Sequence, residues 1–290
     1  MQWEGQEESE NVEDRRGQGG GMSRGAMIGG AGGIGGVILV VLALIFGVDP
    51  RQLGIGGGGG GGQRVAHEPD PDEERLAHFA SAVMKETEVV WEDQFRKMGK
   101  KYPPPTLVLF RDEVQTACGP ADAGVGPFYC PGDSKVYIDL SFYEVLEKRL
   151  GSPGEFARAY VLAHEVGHHV QRLLGYSARV DEARRTGSKV DANHMSVRLE
   201  LQADYFAGVW AHYAREKFPK MLEKGDIESA MNAASHIGDD ILQKQAGRRV
   251  QPDSFTHGTA RQRQRWFMEG YNSGSVPGAK RLFDLPYNEL

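Results

Sequence analysis

From Gly25 to Val48 the chain carries no charged residue, and from Gly54 to Gly62 it is glycine interrupted only by Ile55. The second stretch cannot contribute to a packed core, because glycine has no side chain to bury and loses the most conformational freedom on ordering. The chain is thus divided before any fold is considered. The first stretch ends in Val37-Ile38-Leu39-Val40-Val41-Leu42-Ala43-Leu44-Ile45-Phe46. As helix it would run about 36 Å, against a hydrocarbon thickness of about 30 Å. We therefore expect a disordered, polar N-terminal tail over 1–24, a transmembrane anchor over 25–48, a flexible glycine-rich linker over 49–65 and one folded domain over 66–290. No convincing small-residue cleavage site marks the apolar segment as a signal peptide. Arg15, Arg16 and Arg24 before it, against Arg51 and Arg64 after it, place the tail inside and the domain outside. The lipid bilayer is then one expected partner.

A formal net charge of -6 over 290 residues leaves no electrostatic footprint for nucleic acid. Arg261, Arg263 and Arg265 alternate on an expected helix and read as a solvated face. Cys118 and Cys130 lie in a glycine- and proline-rich stretch. A disulfide between them suits an extracytoplasmic domain; two buried thiols are the alternative.

The folded part reads as α+β and helix-rich, with a small sheet. Leu76, Ala80, Val83, Met84, Thr87, Trp91 and Phe95 mark an amphipathic helix over 71–98. Strands are expected over 106–110 and 136–140, and a short helix over 142–150. Ser152, Pro153 and Glu155 form a helix-start signal for a helix that ends by Gly175. A polar connection over 176–190, a long helix over 191–218, another over 226–245 and a last over 258–270 complete the pattern.

Within the helix before Gly175 lies His164-Glu165-Val166-Gly167-His168. At 3.6 residues per turn the two imidazoles share a face and can bind one ion, with Glu165 one place round. A catalytic zinc needs a third protein ligand and one open position. Asp191, His194, Glu200 and Asp204 are the candidates on the next helix. Glu200 is preferred, because Asp204 one turn on can accept a hydrogen bond from the distal nitrogen of a liganding histidine. His169 points away from the pair. The glycine and histidine of a three-histidine site are replaced by Gln171 and Leu174. Zn2+ on two neutral histidines and one carboxylate keeps a net charge of +1, enough to acidify a water.

The chain resembles the putative neutral zinc metallopeptidase family of bacteria. The resemblance rests on Cys118-Gly119, Gly126-Pro127-Phe128-Tyr129-Cys130-Pro131, Val136-Tyr137-Ile138-Asp139, the block from Ala163 to Gln171, Glu200-Leu201-Gln202-Ala203-Asp204-Tyr205-Phe206-Ala207-Gly208, Ile237-Gly238-Asp239-Asp240 and Ser254-Phe255-Thr256-His257-Gly258. It implies a zincin-like metallopeptidase domain behind one transmembrane helix, single-pass in the bacterial cell membrane with the C-terminal domain extracytoplasmic. It further implies His164, His168 and Glu200 as zinc ligands, Glu165 as general base, and a peptide or protein as substrate.

The expected reaction is peptide hydrolysis by metal-activated water, with Glu165 moving the proton. His257, just before the last helix, is the candidate to stabilise the oxyanion; Tyr137 and Tyr205 are weaker ones. The strand over 136–140 either pairs with extended substrate or is internal, with Asp139 bonded to a loop. Asp239, Asp240 and His236 either orient a histidine or hold the last helix. Two other readings stay open: a non-catalytic zinc-containing scaffold that binds partners, and a zinc hydrolase acting on a non-peptide amide or ester.

Overall fold

Two long helices cross where one of them carries a glycine, and this crossing organises the molecule. The computed structural model describes residues 1–17, 70–148, 154–219 and 222–290. In chain order the elements are β1 (Val12–Asp14), α1 (Pro71–Lys97), β2 (Thr106–Phe110), β3 (Glu113–Thr116), β4 (Gly119–Asp122), β5 (Phe128–Cys130), β6 (Lys135–Asp139), α2 (Phe142–Lys148), α3 (Glu155–Leu174), α4 (Ser177–Thr186), α5 (Lys189–Lys217), α6 (Asp226–His236), α7 (Asp239–Gln245), α8 (Ala260–Ser273) and α9 (Arg281–Asp284). A Cβ on Gly167 of α3 would sit 2.9 Å from the carbonyl oxygen of Ala203 and 3.1 Å from its Cα. Only glycine lets the α3 and α5 backbones come this close. A reciprocal pair serves α5 and α8: a Cβ on Gly208 would meet Phe267 O at 2.0 Å, and one on Gly270 would meet Tyr205 O at 2.0 Å. Around these contacts Phe156 stacks on Trp210, Tyr160 meets Phe267 edge-on and Trp91 meets Phe206 edge-on, all buried.

The sheet has the order β1-β2-β6-β5. β1, β2 and β6 run parallel and β5 closes one edge antiparallel to β6. β3 and β4 form a separate hairpin, tied to β5 by the disulfide Cys118–Cys130. Of the two readings of the strand over 136–140, the internal one holds: β6 lies between β2 and β5, and Asp139 accepts from the backbone N–H of Asp112 and Ser141. The helix expected over 226–245 breaks after His236, because Gly238 packs with its Cα side against the backbone of Ala260. Gly154 stands at the N-cap of α3, and the Ser152 and Pro153 of the expected start signal lie outside the described residues.

The N-terminal stretch differs most from expectation. Residues expected to be disordered are folded onto the domain over 1–17, and Val12 pairs with Leu107 in the parallel sheet. Trp3 is buried edge-on against Phe79, and its indole donates to Glu155 at the start of α3. Arg16 pairs with Glu74 on the first turn of α1.

The expected anchor is corrected accordingly. No helix among the described residues is long and apolar enough to cross a membrane. The span over 25–48 and the linker over 49–65 lie outside those residues. A tail inside and a domain outside is moreover incompatible with β1 and β2 lying side by side, since strands of one sheet cannot occupy opposite faces of a bilayer. The bilayer as partner and the single-pass, extracytoplasmic placement fall with it. What stands is a helix-rich α+β domain with a small mixed sheet.

Candidate metal centre

The glycine crossing faces α3 and α5 residues toward each other, and three of these converge. His164 Nε2 lies 3.2 Å from Glu200 Oε2, and His168 Nε2 lies 3.7 Å from Glu200 Oε1. One ligand atom from each of His164, His168 and Glu200 lies within 4.8 Å of the others. Donors about 2.0–2.1 Å from a tetrahedral zinc would be spaced about 3.3 Å apart, so the set fits a small divalent ion. Two imidazoles and a carboxylate are also the donor types such an ion takes, with one position left open.

Each imidazole is oriented from behind. His164 Nδ1 lies 2.8 Å from Asp204 Oδ1, the contact expected of Asp204. His168 Nδ1 lies 2.8 Å from Gln171 Oε1, and Gln171 Nε2 donates to Leu199 O at 2.5 Å. Gln171 was not expected in any role, although it lies on the same stripe of α3, three residues after His168. Both contacts favour the tautomer that keeps a proton on Nδ1 and leaves Nε2 for an ion.

Glu165 is buried, and its Oε2 accepts the backbone N–H of Tyr129 at 2.8 Å, from the free edge of β5. Burial raises its pKa, while the charges of His168 and His164 work the other way. Burial also disfavours a charge on His164, yet Asp204 and Glu200 outweigh it and raise this pKa to about 10. Glu200 is held well below the carboxylate range: burial opposes this, and His168 and His257 override it. An ion at His164 Nε2 would have to displace a proton from that nitrogen.

Arg263 is the largest departure from expectation. Arg261 and Arg265 are exposed, but Arg263 is buried and grips Asp204 with two nitrogens, Nε to Oδ2 at 2.8 Å and Nη2 to Oδ1 at 2.9 Å. The Tyr160 hydroxyl also donates to Asp204 Oδ1. Burial would push the Asp204 carboxyl up, but Arg263 and His164 bring it down to about 2.

His257 lines the same cleft. Asp239 Oδ2 accepts the backbone N–H groups of Thr256, His257 and Gly258, and its Oδ1 lies 3.3 Å from His257 Nδ1. Burial works against charge on His257, and Glu200 with Asp239 reverses it, so its pKa is raised. Asp240 accepts from the N–H of Ala260 and so holds the start of α8. His236 bonds back to Asn232 O of its own helix. Tyr137 stacks on Phe128 and donates to Asp133, and Tyr205 donates to Ser275 O. Neither lines the cleft. His169 is buried between the Tyr129 hydroxyl and Pro103 O, away from the other two histidines.

The cleft beside the cluster has a volume of about 350 Å³. Phe128, Phe142, Val161, Val180, Leu199 and Ile237 give it apolar walls, with His164, His168, Glu165 and Glu200 among the other residues lining it.

Residues 1–280 match the family described as "Putative neutral zinc metallopeptidase". The chain is similar to the uncharacterized protein YpfJ of Escherichia coli K12, at 48% identity over 94% of this chain and 96% of that one. It is also similar to the uncharacterized protein Rv2575 of Mycobacterium tuberculosis H37Rv, at 45% identity over 60% of each chain. No solved structure matches. The resemblance is corrected on one point: the family as a whole and a His/His/Glu cluster stand, rather than an anchored group defined by a short motif and a spanning helix. Family and cluster together support a metal-dependent hydrolase.

Proposed function

The chain belongs to the putative neutral zinc metallopeptidase family, and from that premise we propose that it hydrolyses peptide bonds, with Zn2+ held by His164, His168 and Glu200 and with Glu165 as general base. The carrying observation is the convergence of those three side chains at the floor of an apolar cleft. A zinc ion held there would polarise the substrate carbonyl and acidify a water.

The chain's own groups supply the rest. Successive N–H groups of a strand point to opposite edges, so the Tyr129 N–H that meets Glu165 marks the cleft side of β5. An extended peptide laid along this edge would bring its carbonyl toward the cluster. Glu165 keeps Oε1 outside its bond to Tyr129. From there it takes the proton of the attacking water and passes it to the leaving nitrogen. The upward push of burial on its pKa suits both tasks. His257, held in place by Asp239, donates to the developing oxyanion.

The test uses the full chain and two variants. Wild type should carry one zinc by elemental analysis and cut unstructured casein. Glu165→Gln should keep the zinc and lose about 10²–10⁴-fold in rate. Glu200→Ala should lose the metal. The peptidase reading fails if zinc-loaded wild type leaves casein and a broad peptide library intact and Glu165→Gln behaves the same.

A further inference from the structure

Arg263 stands at the meeting point of four elements, and nothing in the proposed chemistry requires it. Its fork holds both oxygens of Asp204 on α5. Its Nη2 lies 3.3 Å from the Tyr160 hydroxyl and 3.4 Å from His164 Nδ1, both on α3. Its Nη1 reaches Ile237 O at 3.4 Å, at the break between α6 and α7. Arg263 itself is on α8, and burial leaves it no solvent to fall back on.

We infer that Arg263 is a positioning residue that sets the two sides of the site in register: His164 through Asp204, and His257 through the Ile237–Asp239 turn. This rests on the metal reading above. A carboxylate with a single donor can rotate about its Cβ–Cγ bond. Gripped at both oxygens, the Asp204 carboxylate is fixed in plane, and Oδ1 stays aimed at His164 Nδ1. The imidazole is then held with Nε2 toward Glu200 and the ion. On the other side, Ile237 is followed by Gly238, which has no room for a side chain against Ala260, and then by Asp239, which holds residues 256–258. The single guanidinium thus spans from the ligand helix to the turn that seats His257.

The alternative is that Arg263 only neutralises a buried aspartate. The two differ in sign. A guanidinium near a divalent cation repels it, so by charge alone removing Arg263 should tighten zinc binding. Positioning predicts the reverse. Lysine keeps the charge but cannot reproduce the planar fork.

The experiment measures zinc affinity of the full chain by chelator competition, and the visible absorption of the cobalt-substituted protein, for wild type, Arg263→Lys and Arg263→Met. Thermal melts of the metal-free forms select conditions in which each variant is folded. The inference expects Arg263→Lys to bind zinc 10–100-fold more weakly with an altered cobalt spectrum. Should Arg263→Met not fold, Arg263→Lys alone carries the answer. Wild-type affinity and an unchanged spectrum in Arg263→Lys, or tighter binding in Arg263→Met, overturns it. Wild type that binds no zinc overturns the metal reading itself, and this role with it.

Discussion

Asp204 and Glu86 are both buried carboxyl groups on long helices, and they are treated in opposite ways. Asp204 accepts from Arg263, His164 and Tyr160, and its pKa falls to about 2. Glu86, on α1, is 1% exposed; neither of its oxygens has a hydrogen-bond partner among the described residues, and burial lifts it to about 9. Burial pushes both groups in one direction. The neighbours decide the outcome: around α3 and α5 the fold keeps charges where an ion can use them, and on α1 it keeps a proton instead.

The contrast is most easily broken at Asp204. Asp204→Asn leaves the buried Arg263 cation without its ion-pair partner, which should cost about 3–5 kcal/mol in urea unfolding of the metal-free protein. A loss below about 1 kcal/mol would mean the pair does not hold this region. Glu86 gives the next largest effect, with its own sign. Its pKa is raised on folding, so its stability is fully present below about pH 4.5 and is lost as the pH climbs toward 9. By pH 7 wild type should have lost about 3 kcal/mol through this group. Glu86→Met removes that slope, so its advantage over wild type should grow from about pH 4.5 to 7; a constant difference would contradict the protonated state. Asp204 runs the other way. Its pKa is lowered, so its contribution is complete above about pH 4 and disappears as the pH falls toward 2. The gap between wild type and Asp204→Asn should narrow by about 2 kcal/mol across that range, measured by the same unfolding curves.

His164, His168, Glu200 and Asp204 were legible because helical spacing alone puts each pair on one face. Gln171 carries the same signal, falling on that stripe of α3, but in the sequence it marks only the place where a three-histidine site would have its glycine. Arg263 was hidden by its neighbours: among alternating arginines it looks solvated. Yet Arg263, Trp266, Phe267 and Gly270 follow the three-four spacing of a buried face. β3, β4 and β5 are only three or four residues long, and β4 begins with glycine and proline, so none of them shows a legible alternation. Nothing in residues 1–17 announces their docking, because their partners on α1, β2 and α3 are distant in the chain and the pairing is non-local. The glycine at the centre of the metal face was visible, but its purpose becomes apparent only once Ala203 is seen against it.

The pairing of Val12 with Leu107 also bears on how this chain tolerates change. Residues 18–69 join β1 to α1, and Arg16 with Glu74 brings the two ends of that connection together. Beside β2, the three residues of β1 also cover backbone donors and acceptors that would otherwise line a bare sheet edge. A change that undocks residues 1–17 should therefore open β2 to pairing with a second copy of the chain, so this short stretch also guards the body against association.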